Sequence, residues 1–351
     1  METSIGAQEH QVENVNAESL SPDRILQMGF VFRSSKALLS AVELGLFAAL
    51  NEGPLGPDAL TRRLGLHARG ARDFFDALVA LGLLHREQTG HYRNVPDCAQ
   101  YLDPTTPEYV GGVLEYLNAR IYESWGRLTE ALRSGAAQAG PSAAGSYPAF
   151  YADPSRLETF LVGMSAGSLV PARALSAAFP WGTCRTIIDV GTAQGCLPVE
   201  IAKRHPHLTG GGFDLPAVGP SFTGYVARNG LGERLKFHGG DFFTDPLPSA
   251  DVLVMGRILH NWNLDIRKLL LRKAYAALPR GGSLIVCETL IDDDRRTQAH
   301  SLLASLNMLL QTDDGSEFTG AECASWMRGV GFAATFISPL GPLYSAVIAR
   351  K

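Results

Sequence analysis

Chemistry needs acids, bases and open backbone in one place, and several short stretches of this chain offer them. In IIDVGTAQGCLPVE an acid, Asp189, precedes a loop with Gly191 and Gly195 that runs directly into a helical pattern. Glycines let the backbone turn tightly and approach a ligand, and a helix N-terminus presents unpaired N–H groups to an anion. Further on, FDLP places Asp214 and Leu215 where the acid can accept hydrogen bonds from both hydroxyls of a ribose. GDFF sets Asp241 beside Phe242, an acid for the amino group of an adenine and a ring for its face. RILHNW then supplies Arg257, His260, Asn261 and Trp262. A histidine, with an ordinary pKa of about 6.5, suits proton removal near neutral pH.

The loop discriminates between nucleotide ligands. A dinucleotide site reads G-x-G-x-x-G, and the run from Gly191 to Gly195 lacks its third glycine. A pyrophosphate is repelled by a carboxylate such as Asp189, whereas an ammonium and a sulfonium are attracted to it. The pattern therefore favours S-adenosylmethionine over NAD. Phe160 and Met164 lie four apart in a helical pattern, and core packing and the lining of an apolar pocket remain equally open for them. The five cysteines show no Cys-x-x-Cys pair and no zinc spacing with histidine. They read as reduced thiols of a cytoplasmic protein, and no metal is implied. His205 and His207 read as surface residues at a helix end.

Elements must bring these residues together. A chain of 351 residues exceeds the usual single core, so two domains are expected. The first half is helical in pattern. Residues 24–50 read as one helix with Leu38, Val42 and Leu46 on a face. A short helix follows, opened by Pro57 and Asp58 and closed near Gly65. A third carries Phe74, Phe75, Leu78, Val79 and Leu81, and a hairpin turns at Thr89-Gly90. This is the order of a winged-helix module. DNA binding needs a surplus of basic residues, and over 21–100 basic and acidic residues nearly balance. Residues 132–146 read as a loop.

From residue 186 the pattern changes to short apolar strands, at 186–190, 211–214, 235–238, 252–255 and 283–287, separated by helices. That alternation predicts a mostly parallel sheet covered on both faces, with the motifs at the strands' carboxyl ends. Two last strands, 333–337 and 344–349, flank Gly341-Pro342, too close for a crossover helix, so they pair antiparallel or lie apart. No apolar run approaches the roughly 20 residues that span a bilayer. The N-terminus has no signal-peptide pattern, and a net charge of −4 gives no case for nucleic acid or an anionic membrane.

Together AVELGLF, DVGTAQG, FDLP, GDFF, LHNW, CETLIDD and GSEFTGAEC resemble, in order and spacing, the small-molecule O-methyltransferases that include plant caffeic acid and bacterial polyketide and phenazine enzymes. The resemblance runs over nearly the whole chain from about residue 24. It implies an α/β fold: a Rossmann-like domain with a seven-stranded, mostly parallel sheet, preceded by a winged-helix-like dimerisation domain. It implies a homodimer, S-adenosylmethionine as methyl donor and a small-molecule acceptor. The implied division is a tail at 1–22, the dimerisation domain at 23–105, a helical connector at 106–175 that helps form the acceptor pocket, and the methyltransferase domain at 176–351. Residue by residue, Gly191 falls at the cofactor's amino-acid part, Asp214 at its ribose, and Asp241 and Phe242 at its adenine. His260 matches the histidine that takes the acceptor's proton, and Glu288 and Glu317 match two acids that bracket it. Met308 and the Phe160/Met164 pair fall in the acceptor pocket, with Asn261 and Trp262 beside them. The sequence departs from the family at Thr192 and Ala193, at Asn261 where an aspartate is usual, and at Gly256 where a lysine is usual, with Arg257 next door. Three rivals stand beside this reading: a family member that methylates nitrogen or carbon, or that decarboxylates or hydroxylates; a winged-helix regulator with a sensor domain; and an NAD-dependent oxidoreductase.

Overall fold

The computed structural model describes residues 20–106, 108–138, 151 and 153–351. Most of the tail at 1–22, and residues 139–146 of the expected loop, lie outside the described residues. The earlier part of that loop is helix, Leu128–Ser134, closed by Gly135.

The expected single helix over 24–50 is two, Asp23–Glu43 and Leu46–Asn51. The chain turns between them at Gly45, whose φ of 67° ends the first helix. Pro57–Arg63 and Ala68–Ala80 follow, the latter burying Phe75 and Leu78 completely. Leu81 caps that helix and is exposed, not part of its buried face. Strands β1 (Leu84–Arg86) and β2 (Tyr92–Asn94) form the antiparallel hairpin around Thr89-Gly90. A core of Leu46, Phe47, Leu60, Phe75, Leu78 and Tyr92 unites these elements.

A helical stretch runs from Gly111 to Trp125, with a π-helical segment at Leu117–Ile121. The long helix Pro154–Ala178 then leads to the sheet. Its strands are β3 (Thr186–Val190), β4 (Thr209–Asp214), β5 (Leu235–Gly239), β6 (Val252–Gly256), β7 (Ser283–Glu288), β8 (Ala334–Pro339) and β9 (Ser345–Arg350). Their order is β5-β4-β3-β6-β7-β9-β8. The first five are mutually parallel, and β9 pairs antiparallel with both β7 and β8. Strands β3, β6 and β7 read as continuous apolar runs because both faces are covered.

Helices connect β3 to β4 (Cys196–Arg204), β4 to β5 (Gly219–Arg228) and β6 to β7 (Leu264–Ala277). The expected helix between β5 and β6 is absent; turns and irregular chain fill 240–251. Pro246 and Pro248 fall there, and proline lacks the N–H that a helix interior needs. That connection crosses the sheet, so the winding reverses between β3 and β6. A crevice opens at such a switch point, outside the carboxyl ends of the strands.

Candidate active site

Strand β3 carries Asp189 into the crevice, and the loop at its end is shaped by two glycines. Gly191 has φ 75°, and a Cβ there would lie 2.2 Å from Ile258 Cδ1. Its N–H donates to the Phe213 carbonyl at 2.8 Å, closing the loop against β4. Gly195 has φ 88° and starts the Cys196–Arg204 helix, where a Cβ would lie 2.6 Å from Phe222. Both positions are left-handed backbone that side chains resist. Ala193 adopts a positive φ without being glycine, and its N–H donates to Asp214 Oδ2 at 2.9 Å. The Leu215 N–H donates to Asp214 Oδ1 at 2.8 Å. Asp214 is thereby locked in place at the end of β4.

Both acids are held above the usual carboxylate range. Burial pushes Asp189 up to about 7, with repulsion from Asp214 adding to it. Burial pushes Asp214 up to about 6 against the pull of its two backbone donors. Two desolvated carboxylates side by side create a demand for positive charge. Asp241, after β5, joins the same wall, its Oδ1 accepting the Phe243 N–H at 2.8 Å.

Strand β6 is followed directly by Arg257, a non-glycine residue with φ 59°. A single 3₁₀ turn, Leu259–Asn261, then presents His260. Glu288, fully buried at the end of β7, accepts the Leu259 N–H at 2.9 Å through Oε1 and so fixes that turn. Its Oε2 lies 3.4 Å from His260 Nδ1. Glu317 Oε1 lies 2.8 Å from the same nitrogen. Facing two carboxylates, Nδ1 is the nitrogen that carries the proton in the neutral ring, and that tautomer leaves the Nε2 lone pair free. Burial alone lowers the pKa of His260, but Glu288 and Glu317 outweigh it and hold the imidazole above its ordinary value. Burial raises Glu288 in turn.

His260 Nδ1 and one oxygen from each glutamate lie within 4.8 Å of one another, a set that includes metal-ligand types. Sequence spacing showed no such set because the three residues come from distant positions. In this structure the set is knit by the 2.8 Å hydrogen bond from Nδ1.

A cavity of about 580 Å³ gathers the rest. Its walls include Phe160, Met164, Asp189, Gly191, Asp214, Leu215, Asp241, Phe242, Arg257, His260, Asn261, Trp262 and Met308. Gly195, Glu288 and Glu317 stand outside the lining. Gly195 shapes the loop, and the glutamates sit behind the imidazole. Phe160 packs edge-on against Tyr116 at 5.9 Å, and Trp262 packs edge-on against Phe243 at 4.9 Å. Asn261 spends its amide N–H groups on the carbonyls of Arg257 and Ile258, both at 3.2 Å. The Arg257 guanidinium meets the sulfur of Met164 at 3.2 Å.

Residues that sequence reasoning missed also line the cavity: Tyr116, Arg120, Asn307 and Gln311 among them. Asn307 and Gln311 were visible as polar side chains one turn apart in the apolar run SLLASLNMLLQ. Arg120 lies in the π-helical segment, for which the sequence carries no signal.

Residues 125–333 match the O-methyltransferase domain family, and residues 26–104 match the O-methyltransferase dimerisation domain. The chain belongs to the O-methyltransferase family. It is 44% identical to the tetracenomycin polyketide synthesis 8-O-methyl transferase of Streptomyces glaucescens, over 94% of this chain and 97% of that one. It is 39% identical to an N,N-dimethyltransferase of Streptomyces rimosus, over 88% of this chain and 90% of that one. Among solved structures, human N-acetylserotonin methyltransferase in complex with S-adenosylmethionine superposes with a TM-score of 0.87. That match is 30% identical and covers 95% of this chain and 99% of the other. The protein is thus an S-adenosylmethionine-dependent O-methyltransferase with an α/β methyltransferase domain and a helical dimerisation domain.

Proposed function

We propose that this O-methyltransferase methylates a hydroxyl of a flat, aromatic, polyketide-type acceptor, with His260 as general base. The observation that carries the proposal is the His260 ring, pinned by Glu317 through Nδ1 at 2.8 Å and lining the cavity. The relative in S. glaucescens, named for an O-methyl transfer in polyketide synthesis, supports the acceptor class. The aromatic and thioether walls suit a flat molecule.

The residues at the carboxyl ends of β3, β4 and β5 fit the cofactor by their chemistry. Asp189 is a buried carboxylate and Asp214 a partly buried one, so a cationic ligand suits them, and Gly191 opens the loop beside them. In this proposal Asp189, Gly191 and Gly195 form the cradle for the amino-acid part. Asp214 and Leu215 take the ribose, Asp241 and Phe242 take the adenine, and Arg257 meets the carboxylate. When bound, S-adenosylmethionine supplies a methyl group made electrophilic by its sulfonium. Phe160, Met164, Asn261, Trp262 and Met308 hold the acceptor flat against His260. Nε2 takes the hydroxyl proton as the oxygen attacks, and Glu317 and Glu288 stabilise the imidazolium that results. A phenol, with a pKa of about 10, needs this base at neutral pH, whereas a neutral amine does not. That contrast favours oxygen over nitrogen as the acceptor atom.

The proposed bounds are 23–105 for dimerisation, 106–175 for the connector and 176–351 for the methyltransferase domain, working as a homodimer. Five unpaired cysteines suit a reducing, cytoplasmic setting. The test is His260→Ala, assayed for turnover of phenolic and naphthol acceptors and for S-adenosylhomocysteine binding. Turnover falls by about 10²–10⁴-fold while binding persists; near-normal turnover contradicts the assignment.

A further inference from the structure

One buried cation stands beside the His260 cluster and has no part in the chemistry above. Arg267 lies on the Leu264–Ala277 helix and is 5% exposed. Its Nε donates to the Leu259 carbonyl at 2.9 Å, one residue before His260. Its Nη2 donates to the Ser316 carbonyl, and to Ser316 Oγ at 3.0 Å, one residue before Glu317. The Ser316 N–H in turn donates to the His260 carbonyl at 2.8 Å, so one guanidinium closes a ring of backbone around the base. The Phe318 and Trp326 rings cover it, with centroids 4.8 Å and 5.3 Å from the guanidinium carbon.

The charge of this side chain needs an explanation. Burying a guanidinium is costly, and an apolar residue could fill the space. Among the described residues no carboxylate forms an ion pair with it within 4 Å; its hydrogen bonds go to neutral oxygens. Burial works against its charge, and the fields of Glu288, Glu317 and Glu322 favour it. Glu322 is engaged in capping its own helix, where its carboxylate accepts the Thr319 N–H at 2.8 Å. Glu288 and Glu317 are the two acids that face His260, and Arg257, which lines the cavity, acts on it with the opposite sign.

We propose that Arg267 is a positioning residue for this active site: it braces the backbone segments that carry His260 and Glu317, and its buried charge offsets the negative field of the two glutamates beside the base. The proposal rests on His260 being the base, but its charge role can be read without turnover. Removing a positive charge from a coupled cluster raises the proton affinity of the cluster as a unit, whichever member holds the proton. A base that keeps its proton at neutral pH cannot accept another, so the acidic limb of activity moves up with it.

The test follows the ring of His260 by NMR in the full chain, carbon-13-labelled at histidine and saturated with S-adenosylhomocysteine. The signal is assigned by its absence from His260→Gln. Arg267→Gln keeps polar donors but removes the charge, and the His260 midpoint moves up by about one pH unit. Arg267→Lys restores the charge and returns the midpoint close to that of the parent. Arg267→Met gives the same upward movement and serves if the glutamine variant does not fold. A midpoint that stays at the parent value in a folded Gln or Met variant overturns the proposal, as does a lysine variant that behaves like the neutral ones. The failure of His260 as base shows separately, as unimpaired turnover in His260→Ala.

Discussion

Asp189 and Asp214 make the cofactor half of the site sensitive to pH. Burial raises them to about 7 and about 6, so near pH 6.5 the ligand-free protein holds protons that an ordinary aspartate has lost. A ligand with an ammonium group favours the ionised forms and expels those protons. Calorimetry with S-adenosylhomocysteine at about pH 6.5 therefore gives a binding enthalpy that depends on the buffer's ionisation enthalpy, and at about pH 8.5 that dependence fades. An enthalpy independent of buffer at the lower pH contradicts the role of the two acids. The same sign governs stability. Carboxylates with raised folded pKa values favour the ligand-free fold at low pH, and their contribution is lost as pH rises through 6 to 7. At the base, Glu317→Gln removes the carboxylate that orients Nδ1. Turnover falls by roughly 10–100-fold, in line with losses of an orienting partner, and S-adenosylhomocysteine binding stays. Equal activity in the variant means that Glu317 does not act on the base.

At the scale of elements, the sheet edge does the assembling. The loop after β3 depends on backbone that only glycine adopts easily. In Gly195→Ala the new Cβ meets Phe222 at 2.6 Å in left-handed backbone. The cost is about 1–3 kcal/mol, seen as a lower Tm, and an unchanged Tm contradicts the packing described. Much of this scale was legible in the sequence. The strand at Thr186–Val190 and the pairing of the last two strands follow from apolar runs and a short connection. The break at Gly45 was not legible, because apolar spacing continues through it from Val42 to Leu46. The β5–β6 connection was misjudged as helical because alternation outweighed the two prolines there. At the site, motif residues sitting directly at strand ends could be found. Glu288 and Glu317 came only through resemblance, since nothing local in the sequence links them to a histidine 28 and 57 positions away. Arg267 was missed because an arginine in a helix usually reads as surface.

The whole molecule has a face that one chain leaves open. Ile25, Met28, Val31 and Phe32 on the first helix are each more than half exposed. Met28, Val31 and Phe32 belong to the segment that matches the dimerisation domain, and Ile25 directly precedes it. A second copy covering this face accounts for the exposure. Light scattering at micromolar concentration gives a dimer, and Met28→Glu combined with Phe32→Glu gives a monomer. A monomeric parent chain contradicts this arrangement. Large domains and dimer surfaces are legible from sequence only as apolar surplus, since nothing in the pattern says whether a partner or the chain's own core covers it.

The central claim is that His260 takes a proton from an acceptor hydroxyl. The most direct measurement incubates parent and His260→Ala with S-adenosylmethionine and a panel of phenols and naphthols, and reads products by mass spectrometry and NMR. The account predicts products heavier by one CH₂, with the methyl on oxygen, and a loss of about 10²–10⁴-fold in the variant. Methylation on nitrogen or carbon, or a variant within a few-fold of the parent, would contradict it.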